Sequence, residues 1–349
     1  MEKKIKISDK EIGQNNPTLI IAEAGVNHNG SIRLAKRLID IAAQSGADVI
    51  KFQTYHTKDL ILKNTEKVYY QNNASNKNES QYDMLKRLEL SDKEFIELAK
   101  YSKKRKIIFL SSPFDKASVD LLERLNVPAY KIASGEITNF PLIAYIVSKK
   151  KPIILSTGMS KLQEIKDAIV KINQKGQRQI ILMHCVSNYP APIDSLNLRI
   201  IPSLRKKFKL PIGFSDHSLS TIIPVIAVSL GACIIEKHFT INRDLEGPDH
   251  RSSLEPQELK LMISNIRDAE KALGFANKKI NSTENEIKRI VRKSIVAAID
   301  IKKGVKLSLK MLDFKRPGTG ISPKAVYKII GKRMKRDVKK GQLFLWEML

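Results

Sequence analysis

The chain has 349 residues, 42% of them hydrophobic, and a formal net charge of +26. That length fits one barrel-sized domain of roughly 250 residues plus a smaller second one. No apolar stretch approaches the about 20 residues needed to cross a bilayer, and the opening MEKKIKISDK lacks the apolar segment of a secretory signal. The two cysteines, Cys185 and Cys233, each fall inside a predicted buried strand, which points to a reduced, cytoplasmic setting and excludes a disulfide scaffold. The charge is compatible with nucleic acid, an anionic membrane or small acidic substrates. Its densest run, residues 331–341 (GKRMKRDVKKG), has no interleaved aromatics and reads as a solvated face.

Eight short apolar runs, each ending abruptly in polar side chains, organise the first 275 residues. The first, IIAE, ends at Glu23. An Asn29-Gly30 turn and a Ser31 N-cap then lead into a helical period over 31–45, with Leu34, Leu38, Ile41 and Ala42 on one face. VIKFQ carries Lys51 and Gln53. After it, residues 57–81 form a long connection rich in Asn, Lys and Gln, with Tyr55, Tyr69, Tyr70 and Tyr82 in and around it. It can be a lid over a site or a plain surface excursion. A Ser-Asp-Lys-Glu capping signature opens a helix over 91–104, followed by IIFLSS to Ser112 and a helix over 116–125. AYKIASGE brings Lys131, Ser134 and Glu136, and PIILST brings Ser156. A helix over 161–173, IILMHC to Cys185, a helix over 196–207, PIGFSDH to His217, a helix over 221–230, CIIEKH to His238 and a helix over 256–273 complete the series.

Apolar runs of this length alternating with helices predict an α/β fold, a (β/α)8 TIM barrel over residues 1–275. Residues 276–291 are polar and read as a linker. Residues 292–349, with short strands and turns, form a small β-rich unit whose size alone calls for docking on a barrel, its own or a neighbouring subunit's. The strand ends of such a barrel converge on one pocket.

Within that pocket, His217 and His238 end neighbouring strands about 4.8 Å apart. They are either half of a metal site with open positions or a hydrogen-bonded pair at the rim. Manganese, magnesium, iron, cobalt and zinc are not separable from two ligands. Lys51, Lys131, Ser134, Ser156 and Ser215 supply point charge and hydroxyl donors suited to a phosphate and a carboxylate; for the lysines the plain alternative is pairing with Glu23, Glu136 or Glu236. Glu23 and Glu136 are the acid–base candidates, and Asp249 in GPDH is a further polyol contact. A serine hydrolase is excluded by the absence of a GxSxG elbow, and the GTG at 318–320 lacks the strand–helix context of a nucleotide fingerprint.

These strand endings also resemble the bacterial sialic acid synthases, including the N-acetylneuraminate and N,N'-diacetyllegionaminate branches. The motifs are NHNG, KFQT, SSPF, KIASGEITNFPL, ILSTGMS, HCVSNYPAP, GFSDHS, EKHFT, GPDHRSSLEP and, in a unit similar to the antifreeze-like (SAF) domain, KRPGTGISP. The resemblance implies a barrel plus SAF domain in a domain-swapped homodimer, without nucleic acid or membrane partners. It implies metal-dependent condensation of phosphoenolpyruvate with N-acetylmannosamine to give N-acetylneuraminate and phosphate. The alternative is 2,4-diacetamido-2,4,6-trideoxymannose as the sugar, giving N,N'-diacetyllegionaminate; an alternative of another class is a basic protein that binds nucleic acid or a polyanion. By resemblance, Lys51, Lys131, Ser134, Ser156 and Ser215 hold phosphoenolpyruvate. His217 and His238 hold a divalent metal and act in catalysis: manganese, or magnesium or cobalt. Glu23, Gln53, Tyr189 and Asp249 line the sugar site, Arg316 reaches it from the partner subunit, and Glu136 handles the attacking water or a proton. Where the family often places an asparagine, this chain has Ser187 followed by Asn188, and either could meet phosphoenolpyruvate.

Overall fold

The computed structural model describes residues 5–68, 79–274 and 276–349. The chain divides into two compact units, Met1–Gly274 and Phe275–Leu349. In the first, a hairpin of β1 (Ile5–Ile7) and β2 (Lys10–Ile12) packs Ile5, Ile7 and Ile12 into the main core. Eight parallel strands follow: β3 (Leu19–Gly25), β4 (Val49–Thr54), β5 (Ile108–Pro113), β6 (Tyr130–Ile132), β7 (Ile153–Ser156), β8 (Ile180–Cys185), β9 (Ile212–Asp216) and β10 (Ile234–His238). The hydrogen-bonded order is β5-β4-β3-β10-β9-β8-β7-β6, and β5 and β6 lie side by side without a ladder. The result is a nearly closed (β/α)8 barrel. Its strands are buried almost throughout, as expected of runs covered by helices on one face and packed against each other on the other.

Helix signals in the sequence correspond closely to the local chemistry. Ser31 accepts from the Leu34 amide and starts Ile32–Ser45, and Ser91 with Glu94 forms a reciprocal capping box on Asp92–Lys104. Apart from the single turn Thr57–Leu60, two helices of the first unit have no counterpart in the sequence-based expectations. Phe140–Ser148 (FPLIAYIVS) is apolar nearly all round, so it carries little amphipathic period. Gln81–Leu88 closes the long connection and buries Met84 and Leu88 with Val26 and Tyr55 in a small separate cluster. The tip of that connection, with Tyr69 and Tyr70, lies outside the described residues.

In the second unit β11 (Ser294–Ala297) and β12 (Leu312–Lys315) pair antiparallel, and isolated bridges add Val296 to Leu343 and Ile301 to Val338. Ile295, Ile301, Leu307, Ile329 and Phe344 form its core. The stretch expected to be a linker contains a helix, Ser282–Val291, begun by an Asn281–Glu284 capping box and tied to the unit by the Gly318 amide on the Arg289 carbonyl at 2.8 Å. None of its residues is buried, and its apolar Ile287, Ile290 and Val291 are exposed.

Candidate active site

Because side chains alternate along a strand, residues two apart share a face. On β10, Glu236 and His238 face the barrel interior while Lys237 points the other way. On β9, Ser215 faces inward and Asp216 outward. The outward pair meets: Lys237 Nζ lies 2.6 Å from Asp216 Oδ2, both side chains fully buried, and so clamps the two strands that carry the histidines. The inward set lines a cavity of about 310 Å³ at the C-terminal ends of the strands, a size suited to small ligands.

Its floor is a quartet of buried charges. Lys51 Nζ stands 2.8 Å from Glu23 Oε2 and 3.6 Å from Glu236 Oε2, and Lys131 Nζ donates to Glu236 Oε1 at 3.1 Å. Ser215 Oγ donates to the same oxygen at 2.9 Å, and Lys51 also donates to Ser112 Oγ at 3.1 Å. The strands fix this grouping: Glu23 is in register with Lys51 and with His238, and Ser215 with Glu236. The two carboxylates are driven apart in acidity. Burial, only partly offset by Lys51 and reinforced by Glu236, raises Glu23 to about 7. Burial also pushes Glu236 upward, but Lys131 and Lys51 outweigh it and hold it well below the usual range. Lys51 stays charged, since the pull of Glu23 and Glu236 exceeds the effect of burial.

Above the quartet sit the histidines, their ring centroids 5.7 Å apart. His217 Nδ1 donates to the Val186 carbonyl at 2.6 Å, which leaves Nε2 as the acceptor of the Tyr189 hydroxyl at 3.1 Å. Tyr189 stacks on His217 at 4.1 Å and meets His238 edge-on. Burial lowers His217 to about 4 and His238 well below its ordinary value, so both imidazoles are neutral. His238 Nδ1 is buried without a hydrogen-bond partner, 3.8 Å from Asp249 Oδ2. Two neutral imidazoles with ring centroids 5.7 Å apart on one cavity fit a divalent cation as a partial ligand set. Among the described residues no group of three His, Cys, Asp or Glu side chains is placed to complete it, so substrate and water would supply the remaining positions.

The third wall is a cradle around Gly158. Its amide donates to Ser134 Oγ at 3.0 Å, and a Cβ there would fall 2.3 Å from Ser187 Oγ, 2.8 Å from Ser134 Oγ and 3.0 Å from Cys185 Sγ. Only glycine lets these groups converge. Ser187, not Asn188, lines the cavity, and Asn188 is exposed.

Of the residues singled out from sequence, Glu23, Lys51, Gln53, Lys131, Ser134, Ser156, Ser187, Tyr189, Ser215, His217 and His238 all line this cavity. Three do not. Asp249, raised to about 6 by burial, sits behind His238. Glu136 lies on the 3-10 turn Ser134–Glu136, which carries it away from the lining; its carboxylate accepts from Asn139 at 2.7 Å, the N-cap of Phe140–Ser148. Arg316 is an exposed residue of the second unit. Glu236, expected from sequence as a lysine's partner, also belongs to the lining, and its two-residue spacing from His238 places it on the same face. Ser112 and Cys185 are further lining residues, each the last polar residue of its run.

Fold and cavity together define a (β/α)8 barrel protein whose strand ends gather two buried lysines, two glutamates and a pair of imidazoles around one cavity. The chain belongs to the NeuB family, whose model matches residues 38–278, and its residues 292–349 match the SAF domain. It is 48% identical to the N,N'-diacetyllegionaminic acid synthase of Campylobacter jejuni subsp. jejuni, over 93% of this chain and 98% of that protein. With the N,N'-diacetyllegionaminic acid synthase of Legionella pneumophila subsp. pneumophila it shares 44% identity, over 97% and 96%. Among solved structures it resembles the N-acetylneuraminic acid (sialic acid) synthetase of Leptospira borgpetersenii serovar Hardjo-bovis, with a TM-score of 0.72 and 37% identity, covering 82% of this chain and 95% of that one.

Proposed function

We propose that this protein condenses phosphoenolpyruvate with the open-chain aldehyde of an N-acetylated hexosamine, giving a nine-carbon sugar acid and phosphate. The observation that carries this reading is the pair of buried lysines, Lys51 and Lys131, set beside two neutral histidines in one cavity of a NeuB-family chain. The sugar we favour is 2,4-diacetamido-2,4,6-trideoxymannose, with N,N'-diacetyllegionaminate as product. Identities of 44% and 48% to two legionaminic acid synthases support it, and apolar lining by Val68, Phe114 and Met159 suits acetamido and deoxy groups. The second reading, N-acetylmannosamine giving N-acetylneuraminate, draws on the 37% identity to the sialic acid synthetase.

In this assignment Lys51, Lys131, Ser134, Ser156, Ser187 and Ser215 bind phosphoenolpyruvate, opposing its charge with ammonium and hydroxyl donors. Glu23, Gln53 and Tyr189 receive the sugar, and Asp249 steadies His238 from behind. His217 and His238 would hold a divalent metal, manganese or else magnesium or cobalt, which when bound supplies Lewis-acid polarisation of a carbonyl oxygen. Glu136 would handle a proton only after its carboxylate exchanges Asn139 for the reactant. Arg316 would complete the sugar site of a second copy in a homodimer. The exposed Ile287, Ile290 and Val291 on the helix Ser282–Val291 support such packing. A polyanion-binding role gains nothing from this site, whose lysines are buried. Among the described residues no helix is long and apolar enough to cross a membrane.

The test is phosphate release from phosphoenolpyruvate with each sugar in parallel. Release with the diacetamido sugar at a kcat/KM at least tenfold above N-acetylmannosamine supports the favoured substrate. The reverse ratio selects the sialic reading, and release with neither removes the proposal.

A further inference from the structure

Seven of the chain's eight methionines lie among the described residues, and exposure separates one from the rest. Met84, Met183 and Met262 are fully buried, Met334 and Met348 are 2% exposed, and Met311 is half-buried. Met159 is 73% exposed and lines the reaction cavity. Its backbone is left-handed, with φ +60°. The other eight non-glycine residues at positive φ among the described residues are asparagine, lysine or serine, so Met159 is the apolar exception. A long side chain enters that region only at a cost. The turn that imposes it is tied from both sides. Thr157 Oγ1 donates to the Met183 carbonyl at 2.9 Å, the Gly158 amide to Ser134 Oγ at 3.0 Å, and Ser160 Oγ to the Gly158 carbonyl at 3.1 Å. A thioether is thus held open to water at the wall of the cavity by its turn, not by burial of its own side chain.

We propose that Met159 is an oxidative modification site, at which a peroxide reversibly lowers the protein's use of its sugar. The peroxide transfers one oxygen to Met159 Sδ: its O–O bond breaks, an S–O bond forms, and water leaves, or an alcohol from an alkyl peroxide. The sulfur is oxidised by two electrons and the peroxide reduced by two. A methionine sulfoxide reductase reverses the step with two electrons from a dithiol, the oxygen leaving as water. Access selects the residue, because an oxidant in solution meets the exposed thioether before the buried ones. Access also disfavours the two thiols, Cys185 at 6% and Cys233 at 7% exposure. The consequence rests on the reading of the cavity as a phosphoenolpyruvate condensing centre, in which the apolar wall of Met159 and Phe114 receives the acetamido and deoxy groups of the sugar. A sulfoxide sets a polar oxygen against methyl groups that offer it no hydrogen bond. Phosphoenolpyruvate, held by the lysines and serines, is bound as before.

The experiment treats the full chain with graded hydrogen peroxide, stops the reaction with catalase and locates added oxygen by peptide mass spectrometry. Phosphate release with metal and sugar is then assayed, and phosphoenolpyruvate affinity is measured by calorimetry. The expected result is one oxygen on the Met159 peptide before any other methionine peptide. With it, kcat/KM for the sugar falls about tenfold or more while phosphoenolpyruvate affinity stays native. A sulfoxide reductase with dithiothreitol restores activity and dithiothreitol alone does not, which separates this thioether from an oxidised thiol. Met159→Leu, with its activity referred to its own untreated value, resists the same treatment. Oxygen arriving first on another methionine overturns the proposal. So does full oxidation of Met159 with kcat/KM within about twofold of native, or an equal loss in Met159→Leu. If that variant does not fold, the native time course decides: activity must fall and recover in step with the Met159 peptide, and any other course contradicts the proposal. Untreated protein that releases no phosphate with either sugar removes the condensing reading, and the order of oxidation among the methionines then decides the modification site by itself.

Discussion

Individual side chains here carry charge states that only burial can produce, and these set measurable expectations. His217→Ala takes away one of two neutral imidazoles. Calorimetric binding of Mn2+ by the variant should be lost or weakened by at least about tenfold, with phosphate release falling about 10²-fold or more; unchanged metal binding would refute the role given to this residue. Acid stability follows from the same burial. In metal-free protein, burial lowers His28 to about 3 and His217 and His250 to about 4, and it lowers His184 and His238 as well. Each is neutral when folded and charged when unfolded as pH falls from about 6.5 towards 4, so the unfolded state binds more protons and stability drops in that window. Glu23, raised to about 7, and Asp249, raised to about 6, act in the opposite sense, since the folded state holds their protons first. Five depressed histidines outweigh two raised carboxyls, so unfolding free energy should drop between pH 6.5 and 5 by about 1.4 kcal/mol per pH unit for each net proton, and Tm should fall with it. A flat or rising Tm over that range, measured with chelator present, would show that the histidines are not neutral in the fold.

At the level of elements, the strands were legible because their apolar runs end in reactive side chains, and the helices with sharp caps were legible because Ser31 and Ser91 announce them. Phe140–Ser148 was not, since a helix buried nearly all round has little period to read, and Ser282–Val291 was not, since a helix with no buried face in the single chain looks like polar linker. The site followed the same rule. Polar residues at strand ends were readable as a set, but the inward face of Glu236, the turn that removes Glu136 from the lining, and the cradle of Gly158 depend on alternation and turn geometry that the list of strand endings does not resolve. Two element-scale consequences can be measured. Ser91→Ala removes one half of the capping box on Asp92–Lys104 and should cost about 1 kcal/mol in urea unfolding without altering activity. Gly158→Ala places a methyl group against Ser187, Ser134 and Cys185, and should raise the KM for phosphoenolpyruvate about tenfold or more while leaving the metal affinity native. A native KM would mean that the cradle is not the anion subsite.

For the whole molecule, eight strand ends line one cavity, and the second unit carries an exposed Arg316 and a helix that exposes Ile287, Ile290 and Val291. If Arg316 serves the site of a second copy, mixed dimers of Arg316→Ala and His217→Ala chains should recover one working centre in two, and no recovery would place every functional residue within one chain. The central claim is that buried lysines and neutral histidines form a single metal-assisted condensing centre. Its most direct measurement is phosphate release from phosphoenolpyruvate by native protein with metal and aldose sugar each present or withheld: release only when both are present is the predicted result, and equal release after metal removal or without sugar would contradict it.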